Sequence, residues 1–134
     1  MIKILSSRGT GRSYQIARYA IENNCNIIVA GYSADRACVR YLEALCKYYS
    51  GSYEYVEAII GVKHCRVTIH DKKKDVDFTV NVYTDMSIKQ NRVDISASDK
   101  PIVVDDIDQC FKNILGIKNL AGITLGFDEY QFDK

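Results

Sequence analysis

Two short stretches of the chain carry residue types that could do chemistry together. The first is Ser6-Ser7-Arg8-Gly9-Thr10-Gly11-Arg12-Ser13. Glycines at 9 and 11 allow successive backbone N–H groups to turn inward, as the cradling of a phosphate requires. A helix starting directly behind such a loop adds the partial positive charge of its N-terminus. A Ser hydroxyl at its start can then reach a Mg2+ ion. Ser13 stands at that point. The second stretch is Ile102-Val103-Val104-Asp105-Asp106. An apolar strand with an acid at its carboxyl end can set that carboxylate beside the loop, where it holds Mg2+ directly or through water. The following acid can orient or deprotonate an attacking water. Asp105 is therefore the metal-side candidate, with Ser13, and Asp106 the water-side catalytic candidate. Asp106 could equally cap a helix starting at Ile107, leaving Asp105 and Asp108 solvated.

The loop departs from the strict pattern Gly-x-x-x-x-Gly-Lys-Ser/Thr at two places. Ser6 occupies the first Gly position, and Arg12 stands where Lys is usual. Lys acts as a slim point charge on phosphate, whereas Arg presents a broad planar fork and is no simple substitute. Arg12 is kept as a catalytic and phosphate-side candidate on its charge.

Both motifs need elements to position them. Ile2 to Leu5 reads as a short buried strand, and from Arg12 the pattern is helical, with Ile16, Ala17, Ala20 and Ile21 on one face and a stop at Asn23-Asn24. Asn26 to Ala30 is a continuous apolar run, as in a parallel strand covered on both sides. Ser33 is a plausible N-cap for a helix to about Tyr49, with Ala34, Cys38, Tyr41, Leu42 and Leu45 inward. Val56 to Val62 is apolar without clear period. Arg66–His70 and Val76–Tyr83 alternate around a charged tip, Asp71 to Asp75, and predict a β-hairpin. Residues 84–99 give no assignment. Lys100 onward returns to a strand ending at Asp105-Asp106, then an amphipathic helix (Ile107, Cys110, Phe111, Ile114, Leu115) stopped by Gly116. A last apolar strand spans Ala121 to Phe127, before a polar tail from Asp128. Strands alternating with helices predict an α/β fold: a three-layer, mostly parallel sheet flanked by helices, in one domain over 1–134, with a β-hairpin region inserted at about 56–99.

The segment Arg8 to Ser13, followed by a helix and Asn26-Ile27-Ile28-Val29-Ala30, resembles the opening of P-loop nucleoside triphosphatases. It is most similar to small phage and prophage ATPase-like proteins with a degenerate Walker A loop. The Ile102–Asp106 strand, with the helix and strand after it, resembles their Walker B strand and last core elements. The match covers roughly the first 50 and last 35 residues. The resemblance implies ATP with Mg2+ as ligand, Ser7, Arg8, Gly9, Thr10, Gly11, Arg12, Ser13 and Tyr14 around the nucleotide, and Ser13 and Asp105 on the metal. It also implies a cytoplasmic setting in a bacterial host and a host or phage protein as possible partner. The Asn-Lys-x-Asp guanine-reading motif is absent from the sequence, so GTP is not favoured.

Bulk properties bound the alternatives. The 134 residues carry a net charge of +1, with 47% hydrophobic and 26% charged residues. That is ordinary globular composition and not a general polyanion magnet. Apolar runs are too short to span a bilayer, and no secretory leader is read at Met1, so the chain is expected in the cytosol and off the membrane. Five cysteines at 25, 38, 46, 65 and 110 form no Cys-x-x-Cys pair and read as free thiols. His64, Cys65 and His70 match no usual ligand spacing. Tyr41, Tyr48, Tyr49, Tyr53 and Tyr55 could form a partner patch or cover a core edge. Lys72, Lys73 and Lys74, near Lys63 and Arg66, could touch nucleic-acid phosphates, or could be a solvated turn. Arg36, Arg40 and Arg92 are candidate arginine fingers with nothing to choose among them.

Overall fold

The computed structural model describes residues 3–4, 12–48, 51–90, 100–119, 121 and 128–129. The elements are β1 (Lys3–Ile4), α1 (Arg12–Asn23), β2 (Asn26–Val29), α2 (Ala34–Tyr48), β3 (Tyr53–Ile60), β4 (Cys65–Asp71), β5 (Val76–Thr84), α3 (Asp85–Lys89), β6 (Ile102–Val104), α4 (Ile107–Leu115) and β7 (Asp128–Glu129). The main sheet has the order β3-β4-β5-β2-β6, and β1 and β7 form a separate two-stranded sheet.

β2 is the pivot. It runs parallel to β5 on one side and β6 on the other, with Ile27 opposite both Val82 and Val103. All four of its residues are buried, which is why its sequence is continuously apolar instead of alternating. Its one polar residue, Asn26, is held at both ends of its chemistry. The side-chain oxygen accepts the Asn81 N–H at 3.0 Å, and the Asn26 N–H donates to the Pro101 carbonyl at 3.0 Å. These bonds lock the starts of β2 and β6 to the middle of β5.

β4 is antiparallel to both of its neighbours, β3 and β5. Cys65, Val67 and Ile69 on β4, with Val80 and Val82 on β5, are fully buried, while residues between them point to a polar face. Helices α1 and α2 cover the apolar face. Ile16, Ala17, Ala20 and Ile21 of α1 and Cys38, Val39, Leu42, Leu45 and Cys46 of α2 join the same core cluster. Burying a side chain the size of Leu42 contributes on the order of 2 kcal/mol, so this cluster is the main reason the two helices stay on the sheet.

The coarse α/β reading holds, and three finer points change. The sheet is mixed, not mostly parallel: two of its four pairings are antiparallel. The 56–99 hairpin region is no insertion either, because β5 pairs directly with β2 and makes the hairpin part of the central sheet. Finally, Asp128–Glu129, assigned to a polar tail, pair in parallel with Lys3–Ile4. The expected strand at Ala121 to Phe127 lies outside the described residues from 122 onward, and Ala121 itself is not in a strand. The hairpin tip at 71–75 is as expected. There the Asp71 carboxylate accepts the N–H groups of Lys73 and Lys74 at 3.0 and 3.2 Å, and Asp75 adopts φ 54, an Asx-type turn. Helix α4 keeps its start and its Gly116 stop, with φ 69. Of its apolar stripe only Cys110 is buried; Phe111, Ile114 and Leu115 are exposed.

Candidate functional site at the carboxyl edge of the parallel strands

Parallel strands end on the same side of a sheet, so the segments leaving them meet at one edge. Asp105 closes β6, and its N–H donates to the Ile28 carbonyl of β2 at 2.9 Å, so the backbone fixes the start of its side chain. Ser13 lies in the first turn of α1, which carries no acidic residue. The Ser13 hydroxyl donates to Asp105 Oδ2 at 3.0 Å across 92 residues of sequence. The helix start and the strand-end acid therefore meet. With its proton engaged by Asp105, the Ser13 oxygen keeps lone pairs for a cation, and the carboxylate keeps a second oxygen. A cavity of about 200 Å3 opens here, lined by Ser13, Ala30, Ala34, Cys38, Tyr41 and Asp105 among others. That is smaller than a pocket for a whole drug-sized ligand and suits a phosphate and a metal ion.

The remaining predicted residues fall out unevenly. The loop residues Ser7, Arg8, Gly9, Thr10 and Gly11 lie outside the described residues, as does the side chain of Arg12. Tyr14 is partly exposed and packs its ring on Tyr41, centroids 4.6 Å apart and tilted by 54°. Asp106 also lines the cavity, beside Asp105. It occupies the N-cap position with φ 59 and ψ 59, and makes no side-chain capping bond. Its carboxyl is hydrogen-bonded to Asp108, whose own carboxyl is held below the usual range, chiefly by that bond.

Two buried thiols, Cys38 and Cys110, lie near this edge. Burial pushes Cys38 up to about 12, helped by Asp105, Cys65 and Asp35. Cys110 is likewise raised to about 12, first by burial and then by Asp85, Asp106, Asp105 and Asp108. Burial, the leading cause for both, favours the protonated thiol. The carboxylates of Asp105 and Asp106 that line the cavity favour a cation. A hydroxyl and a carboxylate are hard oxygen donors that fit Mg2+, which takes few protein ligands and completes its shell with phosphate and water. Among the described residues no group of three His, Cys, Asp or Glu could hold a metal on protein ligands alone.

One residue of the edge escapes the motif reading. Asp85, directly after β5, is 0% exposed. It accepts the Gly31 N–H at 3.0 Å and the Asn113 amide at 2.7 Å, tying the β2–α2 connection to α4. Gly31 has φ 96, a conformation costly for any residue with a Cβ. No signal in the sequence marks Asp85, since β5 alternates polar and apolar residues and ends in Thr84.

Other candidates are placed as follows. Tyr41, Tyr53 and Tyr55 pack against the core cluster, Tyr48 is exposed, and Tyr49 lies outside the described residues. Lys72, Lys73 and Lys74 are exposed at the hairpin tip, Arg36 and Arg40 are exposed on α2, and Arg92 lies outside the described residues. His70 bonds Asp77 at 2.7 Å and Asp75 at 3.1 Å. His64 packs on Tyr83. All five cysteines are free. No helix among the described residues is long and apolar enough to cross a membrane.

Fold and site together define an α/β protein with a mixed sheet whose parallel edge gathers oxygen donors around a helix start. No family model, curated protein or solved structure matches the chain.

Proposed function

We propose that this chain binds ATP with Mg2+ at the carboxyl edge of β2 and β6, and that hydrolysis there is slow or depends on a partner. The observation that carries the reading is the 3.0 Å bond from the Ser13 hydroxyl to Asp105. It supports a metal side made of those two residues, with Ser7 to Ser13 and Tyr14 as the predicted phosphate loop. The helix behind that loop has 12 residues, enough for its N-terminal N–H groups to favour an anion. Mg2+ would supply charge neutralisation on the phosphates. The protein's own groups orient it.

Two features argue for weak turnover. Arg12 replaces the slim Lys charge with a fork. Asp106 is engaged with Asp108, so the expected water-side carboxylate is already committed. These features also favour a second reading, in which the loop is a non-catalytic remnant in a protein that acts by binding a host or phage protein. Titration of a fluorescent ATP analogue with and without Mg2+ separates the readings. Mg2+-dependent binding that disappears in Asp105→Ala supports the first. Absence of binding at millimolar nucleotide in wild type, with no gain in Arg12→Lys, supports the second. Nucleic-acid contact through Lys72, Lys73 and Lys74 is a third, weaker reading. Salt-sensitive DNA binding lost when all three become Glu would support it.

A further inference from the structure

We infer that this chain pairs with a second copy of itself through the open edge of β3, antiparallel, about a two-fold axis near Ile59. Among the described residues β3 ends the sheet, with β4 as its single neighbour. The turn after β3 is closed by the Gly61 N–H donating to the His64 carbonyl at 3.1 Å. From that bonded pair, the alternation of an antiparallel ladder turns the N–H and C=O groups of Ile60 and Ala58 away from β4, toward the open edge. An outward row of backbone donors and acceptors is a template for another strand.

The side chains around that row are apolar where pairing would occur. Ile59 is 54% exposed, Ile60 47% and Val62 88%. The turn that presents Val62 is tight, since a Cβ on Gly61 would sit 2.6 Å from the His64 carbonyl oxygen. The register slips at Val56, between Tyr55 and Glu57. The bulge breaks the regular edge there, so the continuous stretch available for pairing is centred near Ile59, while Tyr53 to Tyr55 stay paired with β4.

Charge selects the partner. Glu54 and Glu57 lie on the first half of the edge, and Lys63 lies in the turn at its far end, while Arg66 sits on β4 beside Ile59, at the centre. An antiparallel copy sets each acidic half against the other copy's basic end; a parallel copy would set like against like. The edge is thus self-complementary, as an isologous two-fold interface must be. With Ile59 facing its own counterpart, Ala58 of each copy meets Ile60 of the other. The contact is small, so the dimer is weak and forms in the micromolar range.

Sedimentation of the full chain across micromolar concentrations tests this. Wild type is expected to show a reversible monomer–dimer equilibrium. Ile59→Lys, at an exposed position, places like charges opposite each other and is expected to weaken it about tenfold or more. Glu57→Lys is expected to weaken it by about the same factor, and adding Lys63→Glu to that variant to restore most of the loss. Both Glu57 and Lys63 are exposed, so this exchange remains informative even if Ile59→Lys folds poorly. A chain that is monomeric throughout, or a dimer indifferent to all three variants, overturns the inference. The test leaves the nucleotide reading untouched, since none of these residues lines that cavity.

Discussion

Asp105 and Asp106 are adjacent acids with unlike settings, and substitutions can separate them. Asp105 is half-buried and accepts from Ser13. Ser13→Ala removes that donor and, under the proposed reading, one oxygen donor to the metal, while leaving the carboxylate. It is expected to weaken Mg2+-dependent ATP-analogue binding about tenfold, with little change in Mg2+-free binding. Asp106 sits on a backbone at φ 59, where an L-residue is disfavoured by roughly 1–2 kcal/mol, less for Asp. Asp106→Gly relieves that cost. Its urea midpoint is expected to hold or rise, by up to about 1 kcal/mol. A loss of slow turnover in that variant would assign the carboxylate to the water side, and unchanged turnover would leave it a helix-entry residue. Asp85 behaves oppositely. Asp85→Ala leaves the Gly31 N–H and the Asn113 amide without their shared acceptor inside the protein. A loss of about 2–4 kcal/mol in urea unfolding is expected, and Asp85→Asn, which keeps one acceptor oxygen, is expected to lose less.

At the scale of elements, the β4–β5 hairpin and the turn leading into it carry two histidines with opposite behaviour. Asp77 and Asp75 raise His70 above its ordinary value, the hydrogen bond from Asp77 leading. Burial, then Arg66 and Lys63, lower His64. For His70 the folded protein holds the proton more tightly than the unfolded chain. Its contribution is full below about pH 6.5 and disappears as pH rises through the raised folded value. For His64 the unfolded chain binds the proton first, so stability falls as pH drops from about 6.5 through the lowered folded value. NMR titration of the two rings should find His70 titrating above His64; the reverse order would contradict the pairing of His70 with Asp77. This hairpin also shows what a sequence makes legible. Its alternation is clean because only one face is buried, so tip and strands could be read directly. β3 could not, because the register slip at Val56 shifts the phase of its pattern midway. Nor does periodicity name a strand's neighbours: β5 reads as part of an insertion and is in fact β2's partner. The Ser13–Asp105 meeting was legible from the two motifs themselves, a Ser at a helix start and an acid at a strand end, although among the described residues β1 pairs with β7 and not with β2 or β6. Asp85 was not, because α3 has only five residues, too few to establish a helical period after it.

For the whole molecule, the topology makes β2 the element on which both the core and the site depend. It is the one strand of the five-stranded sheet with parallel neighbours on both sides, and its carboxyl end leads into Ala30, which lines the cavity beside Asp105. The sheet runs from this doubly covered strand outward to β3, whose far side is open. Ile27→Ala should therefore cost about 2–5 kcal/mol, through lost burial and an unfilled cavity. It should also impair ligand binding, because β2 sets the register of β6 and hence the position of Asp105. Ile59→Thr, at the other end of the same sheet, should leave monomer stability within about 0.5 kcal/mol, as exposed substitutions generally do. Amide exchange checks the gradient without substitution. Protection should be greatest for the Ile28 and Val29 amides and least for Ala58 and Ile60 in dilute protein, since the latter two face the open edge. Raising the concentration should slow Ala58 and Ile60 alone if β3 finds its counterpart. Equal protection along the whole sheet would mean that β2 is no pivot and that substitutions at Ile27 and Ile59 differ only in burial.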